Sequence, residues 1–443
     1  MGNLATPNKV QKLQTALHAK AKEEPSYRFY TLYDKVYRMD VLRQAYACCR
    51  ANRGAPGVDG QTFDDIEVYG VERWLEELAQ DLREGTYRPK AVRRVYLPKP
   101  NGTRRPLGIP CVRDRVCETA AMLVLEPIFE ADLPPEQHAY RTQQSALSAV
   151  REVHSLLNTG YRDVVDGDLS SYFDTIPHAE LMKSIARRVS DRQLLHLIKM
   201  WLEAPVEATD ERGRKQRTTP NRDSKRGIPQ GSPISPLLSN LYMRRFVLVW
   251  KQWGLERRLN ARIVNYADDM VICCKHGKAA EALAAMRQLM ERLKLTVNEE
   301  KTRLCHVPED RFDFLGYTFG RCYSAKTGRA YWGARPSKKS IQRITQAIHE
   351  QTARNREWLD PVDMVTDLNR KLNGWVNYFC LGPVTPAYRF LDRYTTTRLR
   401  RWLCKKQKMS SGKLTRYPDK YLYEQLGLVR LPWLPQRLPW AKA

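Results

Sequence analysis

Apolar residues recur at helical spacing along much of the chain. Trp74, Leu75, Leu78 and Leu82 share one face of a segment that ends near Gly85, after the turn-rich run Gly54-Ala55-Pro56-Gly57-Val58-Asp59-Gly60. An amphipathic helix is expected there. Residues 1 to about 50 mix polar and aromatic side chains. Residues 92–97 alternate basic and apolar side chains, and with the turn signal Asn101-Gly102 they predict a hairpin. Residues 115–130 and 145–157 read as helices, the first largely buried, and an apolar strand follows around Val164 and Val165. More helices are expected beyond Pro177. Residues 217–235 are polar and rich in Pro and Gly, whereas residues 263–274 read as two apolar strands flanking a polar tip. Helices and short strands then alternate to about Trp332. From Pro336 onward the pattern is mainly helical, with Ile341, Ile344 and Ile348 on one face and Leu368, Leu372, Trp375 and Val376 on another. No internal repeat or low-complexity tract interrupts it.

Length and charge narrow the partners. At 443 residues the chain should form two to four compact units, and its 42% hydrophobic content supports folded cores. Lys and Arg number 75 against 49 acidic residues, a formal charge of +26, which favours a polyanion over a small metabolite. Nucleic acid leads. Residues 393–416 hold nine basic residues and no acidic one, with Tyr394, Trp402 and Leu403 among them. Arg398, Arg400, Arg401 and Lys405 in this stripe are expected to meet a phosphate backbone, the alternative being a solvated helix face. The ten cysteines include Cys48/Cys49 and Cys273/Cys274 but no Cys-x-x-Cys pair, so free thiols and no zinc site are expected. No apolar run approaches a membrane span, and no signal peptide is evident, which points to the cytoplasm. The start Met1-Gly2-Asn3-Leu4-Ala5-Thr6 fits the loose myristoylation pattern by chance.

The sharpest chemistry lies at the polar tip. Tyr266-Ala267-Asp268-Asp269 puts two adjacent carboxylates where the chain turns between apolar strands. They repel, and a divalent cation would relieve the repulsion. A third carboxylate, Asp168, ends the strand Val164-Val165-Asp166-Gly167 and can face the hairpin tip. Two Mg²⁺ ions held by Asp168, Asp268 and Asp269 would activate a primer 3′-hydroxyl and stabilise leaving pyrophosphate, the arrangement known for polymerases.

With these residues in view, the chain resembles the reverse transcriptases encoded by bacterial group II introns. Asp168 to Phe173 matches the family's first catalytic block, Arg226-Gly227-Ile228-Pro229-Gln230-Gly231-Ser232-Pro233 its second, and the Tyr-Ala-Asp-Asp hairpin its third. Leu97-Pro98-Lys99-Pro100-Asn101-Gly102, Arg105-Pro106-Leu107-Gly108-Ile109-Pro110, residues 298–302 and Phe314-Leu315-Gly316-Tyr317 match in the same order, so the likeness spans residues 54 to about 320. It implies an α+β right-hand polymerase with an antiparallel palm sheet, a helical thumb and a basic C-terminal DNA-binding tail. The expected divisions are an N-terminal extension (1–53), fingers (54–160), palm (161–335), thumb or maturase domain (336–405) and C-terminal DNA-binding region (406–443).

The same resemblance assigns roles. Lys99 and Arg105 would clamp the triphosphate of a deoxynucleotide, Arg through forked donors and Lys as a point charge. Leu169 would sit beside Asp168 at metal and nucleotide. Phe173 would exclude a 2′-hydroxyl, Gln230 would reach the nascent base pair or sugar, and Lys301 would neutralise or protonate pyrophosphate. Leu315 and Gly316 resemble the primer grip. Residues 368–379 resemble the maturase region that binds intron RNA, and residues 417–428 the short DNA-binding region. The implied partners are group II intron RNA, an RNA template with DNA primer, and a DNA target; the implied setting is the bacterial cytoplasm, with nucleoid association during work on DNA.

Three departures qualify the likeness. The sequence to Ala443 lacks the paired cysteines of the zinc-containing His-Asn-His endonuclease found in many relatives, so target-strand cleavage is not expected from it. At His138-Ala139-Tyr140-Arg141-Thr142 the family more often has Gly before the aromatic residue and Pro after the Arg, and Ile228 stands where Thr is commoner. Two rival readings use the same residues: a splicing cofactor with incidental polymerase, and a reverse transcriptase recruited for phage defence or mutagenesis.

Overall fold

Pairing of residues 163–167 with 270–274 organises the chain. The computed structural model describes residues 6–98, 102, 104–210, 212–323, 327–409 and 416–437. Its strands are β1 (Val92–Pro98), β2 (Arg104–Ile109), β3 (Asp163–Gly167), β4 (Val206–Thr209), β5 (Lys215–Thr218), β6 (Ala261–Tyr266), β7 (Asp269–Cys274), β8 (Arg303–His306), β9 (Phe312–Phe314), β10 (Tyr317–Tyr323) and β11 (Ala330–Pro336). They form sheets ordered β2-β1-β4-β5, β6-β7-β3-β8 and β11-β10-β9, antiparallel except where β1 meets β4. Helices cover them, giving a mixed α/β molecule of antiparallel sheets.

Burial on both faces explains why β3, β6 and β7 carry runs of consecutive apolar residues. Val165, Ile263, Met270 and Ile272 face helices Ser235–Gln252 and Ala279–Arg292, meeting Leu238, Leu241, Met286 and Leu289. Val164, Val264, Val271 and Cys273 face the other way, onto helix Ala146–Asn158 and the sheet carrying Phe312, Phe314 and Phe319. A sheet covered on both faces needs apolar residues on both. The polar positions are displaced to its ends, where the carboxylates stand.

The N-terminal residues, expected to be an extension, belong to this core. Helix Asn8–Glu23 buries Val10, Leu17 and Ala21 in the same cluster as helix Val112–Glu130. Pro127 lies within that second helix and has no N–H to give to the carbonyl four residues earlier, that of Leu123. Gln14 Nε2 donates to the Leu123 oxygen instead, at 3.0 Å, and His18 Nδ1 lies 3.0 Å from the Pro127 oxygen.

The expected first hairpin is β1–β2, with Gly102 at φ +79° near its tip and Asn101 outside the described residues. The structure extends it by β4 and β5, a pair too short and too exposed to alternate visibly in the sequence. Beyond Pro336, helices Lys338–Gln351, Pro361–Tyr378 and Thr385–Lys406 enclose a separate core through Ile344, Ile348, Leu368, Leu372, Val376, Leu399 and Trp402. Tyr417, Leu422, Leu428 and Leu431 complete that core, so residues 417–431 are built into the helical unit. Eight of the ten cysteines, Cys380 and Cys404 apart, are free thiols, and among the described residues no helix is long and apolar enough to cross a membrane.

Glu118 ties the buried helix to the loop before Ser235–Gln252. It is 4% exposed and accepts a hydrogen bond from the Ser232 hydroxyl. Burial pushes its carboxyl up to about 8; the Asp114 carboxylate adds to this, while the Ser232 hydroxyl and the Arg115 guanidinium oppose it. The fold therefore keeps a proton that the unfolded chain has already released above the ordinary value of 4.5, so stability falls as pH rises from there to about 8. Glu118→Gln should flatten urea midpoints across that window, removing a decline on the order of a few kcal/mol. An unchanged slope would show that Glu118 is ionised in the fold.

Candidate active site

The β6–β7 turn fixes two carboxylates. Tyr266 pairs with Asp269, leaving Ala267 and Asp268 as the loop. Ala267 adopts φ +57°, a left-handed conformation rare for a residue with a side chain, and is buried. Asn265 stabilises it: Nδ2 donates to the oxygens of Ala267 at 2.9 Å and Asp269 at 3.3 Å, while its backbone bonds to Glu136 and His138 at 2.9 Å each.

Asp168 follows β3 and is wrapped by residues 298–302. Its amide donates to Thr302 Oγ1 at 3.3 Å, its carbonyl accepts from the Asn298 amide at 2.9 Å, and Lys301 Nζ sits 3.1 Å from its carboxylate. Solvent reaches Asp269, yet enough protein surrounds its carboxyl to push it up to about 7; the carboxylates of Asp268, Asp168 and Asp166 add to this and Lys301 opposes. Asp166 is pushed up to about 6 by burial, against the Arg303 guanidinium 3.6 Å away. The sheet thus brings Asp168, Asp268 and Asp269 to one crowded anionic end.

Among the described residues no three carboxylates, imidazoles or thiols enclose an ion by themselves. The donor chemistry nevertheless fits a divalent cation of the Mg²⁺ class. All three groups are hard oxygen donors whose mutual repulsion a cation would relieve, and such ions complete their shell with water and phosphate. The Lys301 ammonium already plays a cation's part against Asp168. Leu169, expected at the metal, buries its side chain and pairs with Val297, leaving its backbone beside Asp168.

Arg105, Phe173 and Gln230 also come together. Arg105 Nε donates to Gln230 Oε1 at 3.1 Å, and Gln230 Nε2 donates to both carboxylate oxygens of Asp174, at 3.2 and 3.1 Å. The backbone beneath is tightly set. Gly108 N donates to the Gln230 oxygen at 2.6 Å, and a Cβ on Gly231, at φ +115°, would strike the Gly108 oxygen. Phe173 is 9% exposed, and its carbonyl accepts from the Ile228 amide at 2.8 Å. Tyr140, at the point of departure from the family pattern, feels both Arg105 and the aspartates. Its ring is 6.5 Å from that of Tyr266, and its hydroxyl is pushed up first by burial and then by Asp268, with Arg105 opposing. Lys99 lies outside the described residues.

Leu315 and Gly316 form the β9–β10 turn at φ +48° and +78°. Tyr378 Oη donates to the Leu315 oxygen at 2.7 Å, and Ser340 Oγ and the Ser337 amide donate to the Gly316 oxygen at 2.9 Å each. The helical unit therefore grips this turn directly.

The basic stripe divides by helix face. Arg398 donates to Thr352 Oγ1 at 3.0 Å and to the His349 and Thr352 carbonyls at 3.3 and 3.2 Å, satisfying the end of helix Lys338–Gln351. Arg400 donates to the Tyr417 oxygen at 2.8 Å and pairs with Asp419. Arg401 and Lys405 are exposed, and so are Arg389 and Arg393, which the sequence reading did not single out. Residues 389, 393, 397, 401 and 405 fall every fourth position along one helix, with the Phe390–Tyr394 ring stack beside them at 6.3 Å. Spacing by four from Arg389 was the signal available for this face.

A family model described as reverse transcriptase (RNA-dependent DNA polymerase) matches residues 97–319, and one for the group II intron maturase-specific domain matches residues 341–420. Protein YkfC of Escherichia coli (strain K12) is 32% identical over 387 residues, covering 78% of this chain and 94% of that protein. The group II intron-encoded protein LtrA of Lactococcus lactis subsp. cremoris is 33% identical over 280 residues, 62% of this chain and 43% of LtrA. Nuclear intron maturase 2, mitochondrial, of Arabidopsis thaliana is 29% identical over 117 residues, 26% of this chain and 16% of that protein. Motif order, carboxylate geometry and both matches agree: the chain belongs to the reverse transcriptases, RNA-dependent DNA polymerases, and carries a group II intron maturase-specific domain.

Proposed function

We propose that this chain copies RNA into DNA at Asp168, Asp268 and Asp269, and that it binds a group II intron RNA, assists its splicing and copies it for retrohoming. In this reading the β6-β7-β3-β8 sheet is the palm, the β1–β2 hairpin belongs to the fingers, the helices from Lys338 onward form the thumb and maturase unit, and residues from 406 onward contact a DNA target. The work takes place in the bacterial cytoplasm and on the nucleoid. The convergence of Asp168 with the Asp268-Asp269 turn, beside Lys301, is the observation that carries it.

Two Mg²⁺ ions at the three aspartates would supply Lewis-acid activation of the primer hydroxyl and charge neutralisation at the leaving pyrophosphate. The chain's own groups do the rest. Arg105, with Lys99, holds the triphosphate of the incoming deoxynucleotide. Gln230 lies against its sugar, and the Phe173 ring closes the space that a 2′-hydroxyl would need. Lys301, now on Asp168, is free to turn to the pyrophosphate as charge builds there. Leu315 and Gly316 hold the primer end, and their hydrogen bonds to Tyr378 and Ser340 tie that grip to the helical unit.

Primed RNA with Mg²⁺ and deoxynucleotides should yield full-length DNA. Asp168→Asn or Asp268→Asn should nearly abolish extension while primer–template affinity holds; wild-type rates in either variant would remove these residues from the site. Phe173→Ala should raise ribonucleotide use relative to deoxyribonucleotides in single-nucleotide kinetics, and unchanged selectivity would make the ring a packing residue. Replacing Arg389, Arg393, Arg401 and Lys405 by Gln should weaken binding to structured intron RNA and flatten its salt slope by roughly 0.7 to 0.9 per lost phosphate contact. Extension on a pre-annealed duplex at saturating enzyme should persist. Loss of extension with intron binding intact would put this face on the primer–template instead.

A further inference from the structure

One carboxylate near the reaction centre has no part in the chemistry above. Asp174 directly follows Phe173 in the short helix Tyr172–Thr175 and is exposed. An exposed carboxylate ordinarily faces water, yet both oxygens of this one accept from Gln230 Nε2, at 3.2 and 3.1 Å, across 56 positions of sequence. The amide's other end accepts from Arg105 Nε at 3.1 Å, across 125 positions. Three elements distant in sequence meet in one polar line.

The line has only one satisfied orientation. A carboxylate accepts and cannot donate; a guanidinium donates and cannot accept; an amide does one at each end. With Asp174 on one side and Arg105 on the other, Gln230 must turn its NH₂ to Asp174 and its oxygen to Arg105. The flipped amide would set oxygen against carboxylate and NH₂ against guanidinium, losing both bonds. Backbone bonds make the arrangement stiff: Gly227 N donates to the Ile176 oxygen and Ile228 N to the Phe173 oxygen, at 2.8 Å each, and Gly108 N holds the Gln230 oxygen. The helix bearing Phe173 and Asp174 is therefore fixed against the loop bearing Gln230.

We infer that Asp174 is a positioning residue for the incoming nucleotide: through Gln230 it sets the amide's orientation and, through that amide, the aim of the Arg105 guanidinium. This rests on the proposed assignment of Arg105 and Gln230 to the nucleotide. Asp174 touches no reacting atom. Its effect is to present Arg105 already aimed, so that the triphosphate meets a guanidinium whose side chain has lost little freedom on binding. Asn at 174 can either donate or accept, so the flipped amide would then lose only the Arg105 bond instead of both, and the hold on Arg105 weakens.

Single-nucleotide incorporation by the full chain on an RNA-templated primer tests this, with wild type, Asp174→Asn, Asp174→Glu, Gln230→Ala and the Asp174→Asn/Gln230→Ala double variant. Asp174→Asn should raise the nucleotide KM about tenfold, the scale of one hydrogen bond to a charged group, with a smaller fall in kcat. Melting temperature and primer–template affinity should hold, and Asp174→Glu should restore part of the KM. Because Asp174 acts through Gln230, the double variant should be no worse than Gln230→Ala alone. An unchanged KM, additive penalties in the double variant, or a loss explained by a lower melting temperature would each overturn the inference while wild-type extension stands. A wild type unable to extend any primed RNA would overturn the functional reading and the inference together.

Discussion

Like charges held at the end of an apolar sheet push apart, and much of this molecule answers that push. Asp166, Asp168, Asp268 and Asp269 crowd one end of the sheet, where burial first and the neighbouring carboxylates second raise Asp269 and Asp166 well above ordinary carboxylate values. Hydrogen bonds and packing hold them. The Asn265 bonds fix the turn, residues 298–302 wrap Asp168, and both sheet faces are sealed by packed side chains. Lys301 and Arg303 offset part of the repulsion without sealing the site. The residual anionic field is what gives a divalent cation, or a protein ammonium, a reason to be there.

The same rigidity extends outward along two routes. On one side, Gly231 brings the Gln230 loop against Gly108, joining the β1–β2 sheet to the end that bears Phe173. On the other, Tyr378 and Ser340 hold the carbonyls of the Leu315-Gly316 turn, while Tyr317 Oη donates to the Tyr378 oxygen at 2.5 Å. A left-handed Leu315 is costly unless its surroundings hold it, and these bonds do so. The helical unit that matches the maturase-specific domain is thus attached to the β11-β10-β9 sheet, which packs on the sheet bearing the aspartates.

What was legible in the sequence follows from the range over which each signal acts. The Asp268-Asp269 turn stood out because apolar strands bracket it within a few residues, and the helix ending at Gly85 because one face repeats and a left-handed glycine closes it, at φ +72°. Helix Asn8–Glu23 was missed: it buries Val10, Leu17 and Ala21, a face too sparse to stand out among its lysines and glutamines. β4 and β5 are four residues each with little buried, and only their partner β1 makes them strands. Charge counting found the basic stripe but could not distribute it, since Arg398 is bonded within the protein and Arg401 is exposed according to which side of one helix each occupies. Asp174 carried no local mark, because its partner arrives 56 residues later.

The bond from Gln14 to the Leu123 carbonyl spans 109 residues, and its sense changes when the chain is considered as it is made. The first helix leaves the ribosome with an apolar face and nothing to cover it, because the proline-interrupted helix that receives it is still unsynthesised. Neither half is complete alone: one has a bare face, the other a carbonyl without a donor. Such a long-range closure comes late and slows folding. Helix Asn8–Glu23 is therefore made well before the helix that secures it, and its apolar face stays uncovered over that whole stretch of synthesis.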